Sequence, residues 1–460
     1  MKKFLFTPIL ILLCAANVFS QENSPYTRYA LGDVVPNSNI ISRSMGGISA
    51  AYYDNMFLDG RANASINATN PGTYGFSRIT GKKKGQGGLV TLDIGIDANS
   101  RTIKEANTNK KFTSSYGILN YINIGLPLKK GWGVNLGFAP ETRINYKLFY
   151  NERLYDPVTN TEIDTAKTTY SGTGGVYKVF VGSGWAIKNF GFGFNVGYLF
   201  GSREVDSRRD FLNDSVIYYS ADYNTNTSFG NVFFNLGLHQ SFELKKEKSK
   251  KDNFERITWL RLGAYAQLQP ALQASQDIKR ETNYISPAGN VLADTISFQS
   301  GLPGTIKYPA TFGFGAIIEK ELKWLVGIDV VTSSWANYRF YGAKDYTANT
   351  LQIKIGGQYY PDAASKKLFR RMAYRGGFNY TTEPYSFNGH QIKQISGSLG
   401  LGIPFRNKAA MYQNSLSTVL NLSLEFGTRG KSSDILKENF IRFGIGFSLS
   451  DWWFTKAKYY

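Results

Sequence analysis

The 460-residue sequence predicts an all-β protein: a transmembrane antiparallel β-barrel of about 14 strands with an N-terminal lumenal hatch. Three observations lead there. Apolar residues alternate with polar ones over stretches far longer than the usual ~5–6-residue strand. The connectors between those stretches alternate between short and long. A segment of 63 residues, 21–83, precedes the first alternating stretch and lacks the period. Composition excludes other classes. Apolar residues make up 42%, with 30 Tyr and 32 Phe, enough to bury and too many for disorder. One Cys excludes a disulfide scaffold and a Cys-based zinc site. No apolar run reaches the ~18 residues that a helical span needs.

In chain order, residues 1–20 read as a secretory signal: Lys2-Lys3, an apolar stretch from Phe4 to Val18, and a small residue at Ser20. Leu13 before Cys14 argues against a lipoprotein signal. Cleavage would leave a mature chain without Cys. Residues 21–83 read as the hatch. Their Asn, Ser and Ala content and small apolar clusters such as Ser44–Tyr52 suit a plug in a barrel too wide for side chains alone to fill.

Residues 84–460 read as the barrel. Val90, Leu92, Ile94 and Ile96 share one face against Thr91, Asp93, Gly95 and Asp97. Phe190 to Phe200, Leu416 to Phe426 and Ile441 to Leu449 repeat the pattern, and similar stripes centre on Ile122, Val134, Val179, Phe234, Leu262, Phe314, Val326, Ile353, Phe378 and Leu401. A large aromatic face opposite Gly, Ser, Asn and charge fits lipid outside and a polar lumen. Only a closed barrel satisfies every backbone group in lipid. Connectors after even strands are mostly tight and basic, as at Lys129-Lys130-Gly131 and Lys188-Asn189. Those after odd strands are long: Asn151–Tyr170, Gly201–Asn224 and Gln276–Ser297. This asymmetry places the short turns in the periplasm and the chain in the cell outer membrane. The closing Arg442–Leu449 stretch resembles an outer-membrane insertion signal, and Trp452-Trp453-Phe454 and Tyr459-Tyr460 suit a membrane interface.

Pro140 interrupts an alternating strand between Phe138 and Ile144. Proline cannot donate to a ladder, so it predicts a bulge or broken pairing, and in a lipid-facing wall a local gap. Of the two His, His239 falls on the inward phase of its strand and His390 in or beside an outer loop. Neither has an acid–base or metal-ligand partner in register, so no enzyme, metal or cofactor is expected. The basic runs Lys82-Lys83-Lys84, Lys245–Lys251 and Lys366–Arg371 read as solvated turns, with no nucleic-acid motif.

Ile66-Asn67-Ala68-Thr69-Asn70-Pro71-Gly72 resembles the hatch signature of FadL/TodX-type outer-membrane transporters. Ser24–Asp33 is similar to the opening of Bacteroidetes members, and Gly137–Thr142 resembles the third-strand element in which a kink opens the wall. The resemblance implies fourteen strands, the hatch motif Asn70, Pro71 and Gly72, and a lateral-gate kink at Pro140. It implies passive uptake of small hydrophobic molecules, fatty-acid-like or aromatic. The hatch residues expected to touch such a ligand are Tyr26, Tyr29, Met45, Tyr52, Tyr53, Phe57 and Tyr74. The alternative is a non-transporting accessory or carrier subunit of an outer-membrane secretion or assembly complex. Partners are then outer-membrane lipid, a hydrophobic ligand, or other complex subunits.

Overall fold

A computed structural model describes residues 24–54, 65–76, 89–105, 110–212, 219–248, 255–285, 291–363, 365, 367–387, 389–406, 417–431, 434 and 436–452. The expected signal peptide, Phe57, the Lys82-Lys83-Lys84 run and the aromatics after Trp452 lie outside them.

Fourteen strands close into one antiparallel barrel: β1 (Leu89–Glu105), β2 (Lys111–Lys129), β3 (Trp132–Tyr155), β4 (Glu162–Ile187), β5 (Phe190–Phe211), β6 (Ser220–Lys248), β7 (Glu255–Leu268), β8 (Thr311–Lys320), β9 (Trp324–Ser333), β10 (Thr350–Tyr359), β11 (Ala373–Phe387), β12 (His390–Arg406), β13 (Ser417–Arg429) and β14 (Leu436–Trp452). Each pairs with its sequence neighbours, and β14 closes on β1 in a ladder from Leu436↔Glu105 to Trp452↔Leu89. Every apolar stripe read from the sequence falls on one of these strands.

Burial is inverted relative to a soluble sheet. Along β9 it alternates at every residue. Ile328 is 44% exposed and Val330 42%, while Asp329 between them is fully buried. The same holds for Phe192 and Phe194 against Asn195, and for Leu424 and Phe426 against Glu425. A continuous apolar belt left in water would cost on the order of 25 cal/mol per Å². In lipid that cost vanishes, and charged groups inside the wall have each other.

Four strands run to about twice or more the ~9–11 residues that a membrane crossing needs. β3, β4, β5 and β6 have 24, 26, 22 and 29 residues. β6 changes partner along its length: Phe234–Lys248 pairs with β7, whereas Ser220–Gly230 pairs with the first strand of a hairpin, Leu272–Ile285 and Val291–Lys307. The stretches expected as loops at 151–170, 201–224 and 276–297 are therefore largely strand, and together they raise a six-stranded sheet beyond the barrel. Both faces of that sheet carry polar residues, so no one-sided apolar stripe marks it in sequence. β7 and β8 still pair directly beneath the hairpin, from Gln267↔Thr311 to Thr258↔Lys320. On the opposite side the β2–β3, β4–β5 and β8–β9 turns are tight. Gly131, at φ 79°, takes the left-handed position of the β2–β3 turn.

Residues 24–54 and 65–76 contact inward-facing side chains of strands all round the barrel. They contain short helices, Pro25–Arg28, Ile40–Arg43 and Pro71–Phe76. Asn39 caps the second, its Oδ1 accepting the Ser42 N–H at 2.9 Å.

Candidate functional site

The N-terminal segment is held to the wall by buried ion pairs. Asp33 Oδ1 meets Arg429 at 2.7 Å and its Oδ2 meets Arg101 at 2.9 Å. Arg429 also reaches Glu383 at 3.0 Å and Glu438 at 3.3 Å, and Arg101 reaches Glu438 at 3.0 Å. Tyr385 Oη donates to Asp33 at 3.1 Å, and Ser24 Oγ donates to Glu438 at 2.6 Å. Burial alone would raise the Asp33 carboxyl; the two guanidiniums outweigh it and hold the group well below the usual carboxylate range. A second cluster joins Arg43 to Asp97 and, at 3.6 Å, to Glu425, which Arg442 also contacts at 2.8 Å. Sequence reasoning passed over these charges as a set. Their signal was strand parity, which puts Asp97, Arg101, Glu425, Arg429 and Arg442 on the inward phase.

The Ile66–Gly72 stretch works through its amides. Asn67 Nδ2 donates to the carbonyls of Ser49 and Tyr52 at 2.6 and 2.7 Å. Asn70 Nδ2 donates to Ala50 and, across to β6, to Leu238, while its Oδ1 accepts the Gly72 N–H at 2.9 Å. The Pro71–Phe76 turn then lies flat on glycines of the wall. A Cβ at Gly184 or Gly193 would strike the Pro71 carbonyl, one at Gly191 the Gly72 carbonyl, and one at Gly237 the Asn70 side chain. Across the barrel, Gly356 and Gly377 receive Met45 and Gly46 in the same way. Inward glycines thus mark where the segment's backbone presses on the wall.

The described residues expected to bind ligand fall into separate places. Tyr26 stacks on Tyr385, 6.0 Å between centroids, with Arg429 over its ring at 5.0 Å and its Oη donating to the Leu436 carbonyl. Tyr29 packs edge-on to Phe387 and Tyr346. Met45 and Tyr52 are buried with Ile41, Ile48, Ile317 and Leu325. Tyr53 stacks on Phe76 at 4.9 Å beneath Arg261 at 4.0 Å, and His239 meets both rings edge-on at 5.0 Å. Tyr74 Oη donates to Asn195 at 3.0 Å and accepts from Asn135 at 3.1 Å. Tyr53 and Tyr74 share the lining of a small cavity of about 30 Å³, and the others lie apart from it.

A cavity of about 180 Å³ beside Asp33 is charged: Asp33, Arg101, Glu141, Arg143, Glu383 and Arg429 are among its lining, whereas an open cleft of about 660 Å³ over β4, β5 and β6 is lined by Tyr177, Tyr198, Phe200 and Phe229. Among the described residues no group of three or more His, Cys, Asp or Glu is placed to hold a metal.

Pro140 sits where the wall changes. The β2–β3 ladder ends at Ile122↔Phe138, while β2 stays paired to β1 as far as Lys111 and β3 to β4 as far as Tyr155. The register of β3 on β4 slips between Pro140 and Thr142. Beyond the break the N-terminal segment takes the place of β2. Asp33 and Val34 pair with Arg143 and Thr142, and the Val35 N–H donates to Glu141 at 3.0 Å. The Ser24 N–H then donates to the Asn145 carbonyl at 3.3 Å, and the Asn145 N–H to Thr27 Oγ1 at 3.2 Å.

Among solved structures, a Pseudomonas aeruginosa FadL homologue is 12% identical, with 92% of this chain and 99% of that chain covered and a TM-score of 0.51. The CymD monoaromatic hydrocarbon channel is 13% identical over 92% and 98%, at 0.49. The P. putida toluene transporter TodX is 14% identical over 91% and 99%, at 0.49. At such identities the likeness is one of fold, and the first of the three carries it: the chain has the barrel fold of a FadL homologue. No curated protein matches the sequence. The family model described as BamG matches residues 1–460. From its first residue to its last, therefore, this chain belongs to the BamG family.

Proposed function

We propose that the protein is a non-transporting barrel subunit of an outer-membrane assembly or secretion complex, with residues 21–83 serving as a hatch that closes the lumen. The observation that carries this reading is the charge of the interior. A hydrophobic solute following the cavity would exchange lipid for Asp33, Arg101, Glu383 and Arg429. It would gain little from burial there and would strip water from ions. The aromatic hatch residues that could offset this are spent on packing and hydrogen bonds. Membership of the BamG family is in keeping with a subunit role. The reading includes no reaction.

One observation favours a second reading, passive uptake of fatty-acid-like or aromatic molecules. It is the break in the β2–β3 ladder beside Pro140, a place where a solute could leave sideways. Purification of the native protein in mild detergent separates the two. Stoichiometric protein partners support the subunit; a monomer carrying bound lipid or aromatic compound, identified by mass spectrometry, supports uptake and overturns the first reading.

A further inference from the structure

The sheet that rises beyond the barrel has two lateral edges, and they are treated differently. The hairpin edge, Val291–Lys307, is blunted. Its register slips between Thr295 and Ser297 and again between Gln299 and Leu302, Pro303 follows, and Gly301 takes a positive φ of 68°. Tyr341 covers its base, its N–H donating to the Thr305 carbonyl at 3.0 Å and its Oη to that of Leu302 at 3.0 Å. Bulges and proline are the devices that keep an edge from pairing. Between Thr142 and Leu154 the β3 edge has none of these. Its register on β4 is unbroken from Thr142 to Leu154.

The side on which β3 is open follows from Asn145. Both its N–H and its carbonyl face the N-terminal segment, at Thr27 and Ser24. With no bulge as far as Leu154, Phe149, Asn151 and Arg153 present their N–H and C=O on that same side. Among the described residues no strand pairs with this stretch. It is also out of the lipid. Phe149 lies 18 residues beyond the Gly131 turn. At about 3.3 Å per residue and a ~40° tilt that is roughly 45 Å, above an apolar band of ~25 Å. Phe149 is 69% exposed and Tyr150 64%, one on each face.

We infer that the outer edge of β3, Phe149–Arg153, is where a partner protein adds an extended strand. The inference rests on the subunit reading and names the partner's contribution. A surface-exposed protein supplies a β-segment antiparallel to β3, in the sense already taken by Asp33–Val34 lower on the same edge. Main-chain bonds to Phe149, Asn151 and Arg153 give the affinity. Phe149 and Tyr150 flank the alternate side chains of the incoming strand.

The test places a photo-crosslinking amino acid at position 149 in cells and compares Asn151→Pro with Asn151→Ala. Proline at 151 removes a donor from the open side and leaves the β4 ladder intact. The crosslink is expected to map into an extended segment of a different protein. N151P should lower its yield and the co-purified partner tenfold or more, while N151A stays within twofold and both barrels keep their heat-modifiable migration. Phe149→Pro, assayed by co-purification, is the second variant should N151P fail to insert. Full partner retention by an inserted proline variant overturns the strand-addition proposal and leaves the subunit reading standing. A crosslink solely between copies of this chain also overturns it. If the wild-type barrel brings down no partner at all, the subunit reading itself falls.

Discussion

Arg429 answers three carboxylates, Asp33, Glu383 and Glu438, and lies over the rings of Tyr26 and Tyr385. Arg429→Met would leave those carboxylates with Arg101 as the remaining guanidinium of the cluster. Breaking a buried pair from one side costs about 3–5 kcal/mol. We expect the variant barrel to reach the membrane with its N-terminal segment cleaved by protease, whereas the wild type is protected. Asp33 adds a pH dependence. Its folded-state pKa is depressed, so its contribution is present above the unfolded value of about 3.9 and is lost as pH falls toward the folded one. Protection of the segment should therefore hold from pH 8 to 5 and decline below about 4. In Asp33→Asn it should be weak throughout. The charges were visible in the sequence as letters; that Asp33 and Arg429 meet was not, because nothing local relates residues so far apart.

At the scale of elements, the hairpin Leu272–Lys307 adds no strand to the closed wall. Replacing it with a short Gly-Ser linker should leave β7 and β8 paired and the barrel heat-modifiable on gels. Leu272 and Ile306 are fully buried with Leu199, Phe229, Trp335 and Tyr338, so the variant should unfold at a lower temperature while still inserting. The fourteen wall strands were legible because one face of each meets lipid, and that demand writes a period of two. The outer halves of β3 to β6 were not, since water on both faces imposes no such pattern. The consequence of Pro140 was legible only in kind. A missing donor forecasts a break in pairing; that Asp33–Val35 would take up the vacated edge depends on a segment without periodicity.

For the whole molecule, the wall and the N-terminal segment account for each other. Deleting residues 24–76 should convert the barrel into a water-filled pore, since fourteen strands enclose more space than their side chains fill. Reconstituted vesicles should then leak sucrose and carry single-channel currents, while the full chain does neither. Wall glycines such as Gly184, Gly191 and Gly377 looked in the sequence like ordinary small lumenal residues. They are the negative image of a backbone that touches them.

Arg43 touches Asp97 on the first strand and Glu425 near the last, and Ile40 lies against Gly444 and Gly446 on the final one. The N-terminal segment thus straddles the seam at which β14 closes on β1. Threading it through a finished cylinder would mean dragging paired ions past one another, which favours its being in place before the sheet closes. A substitution at Arg43 is therefore expected to loosen the seam itself, far along the chain from where it is made.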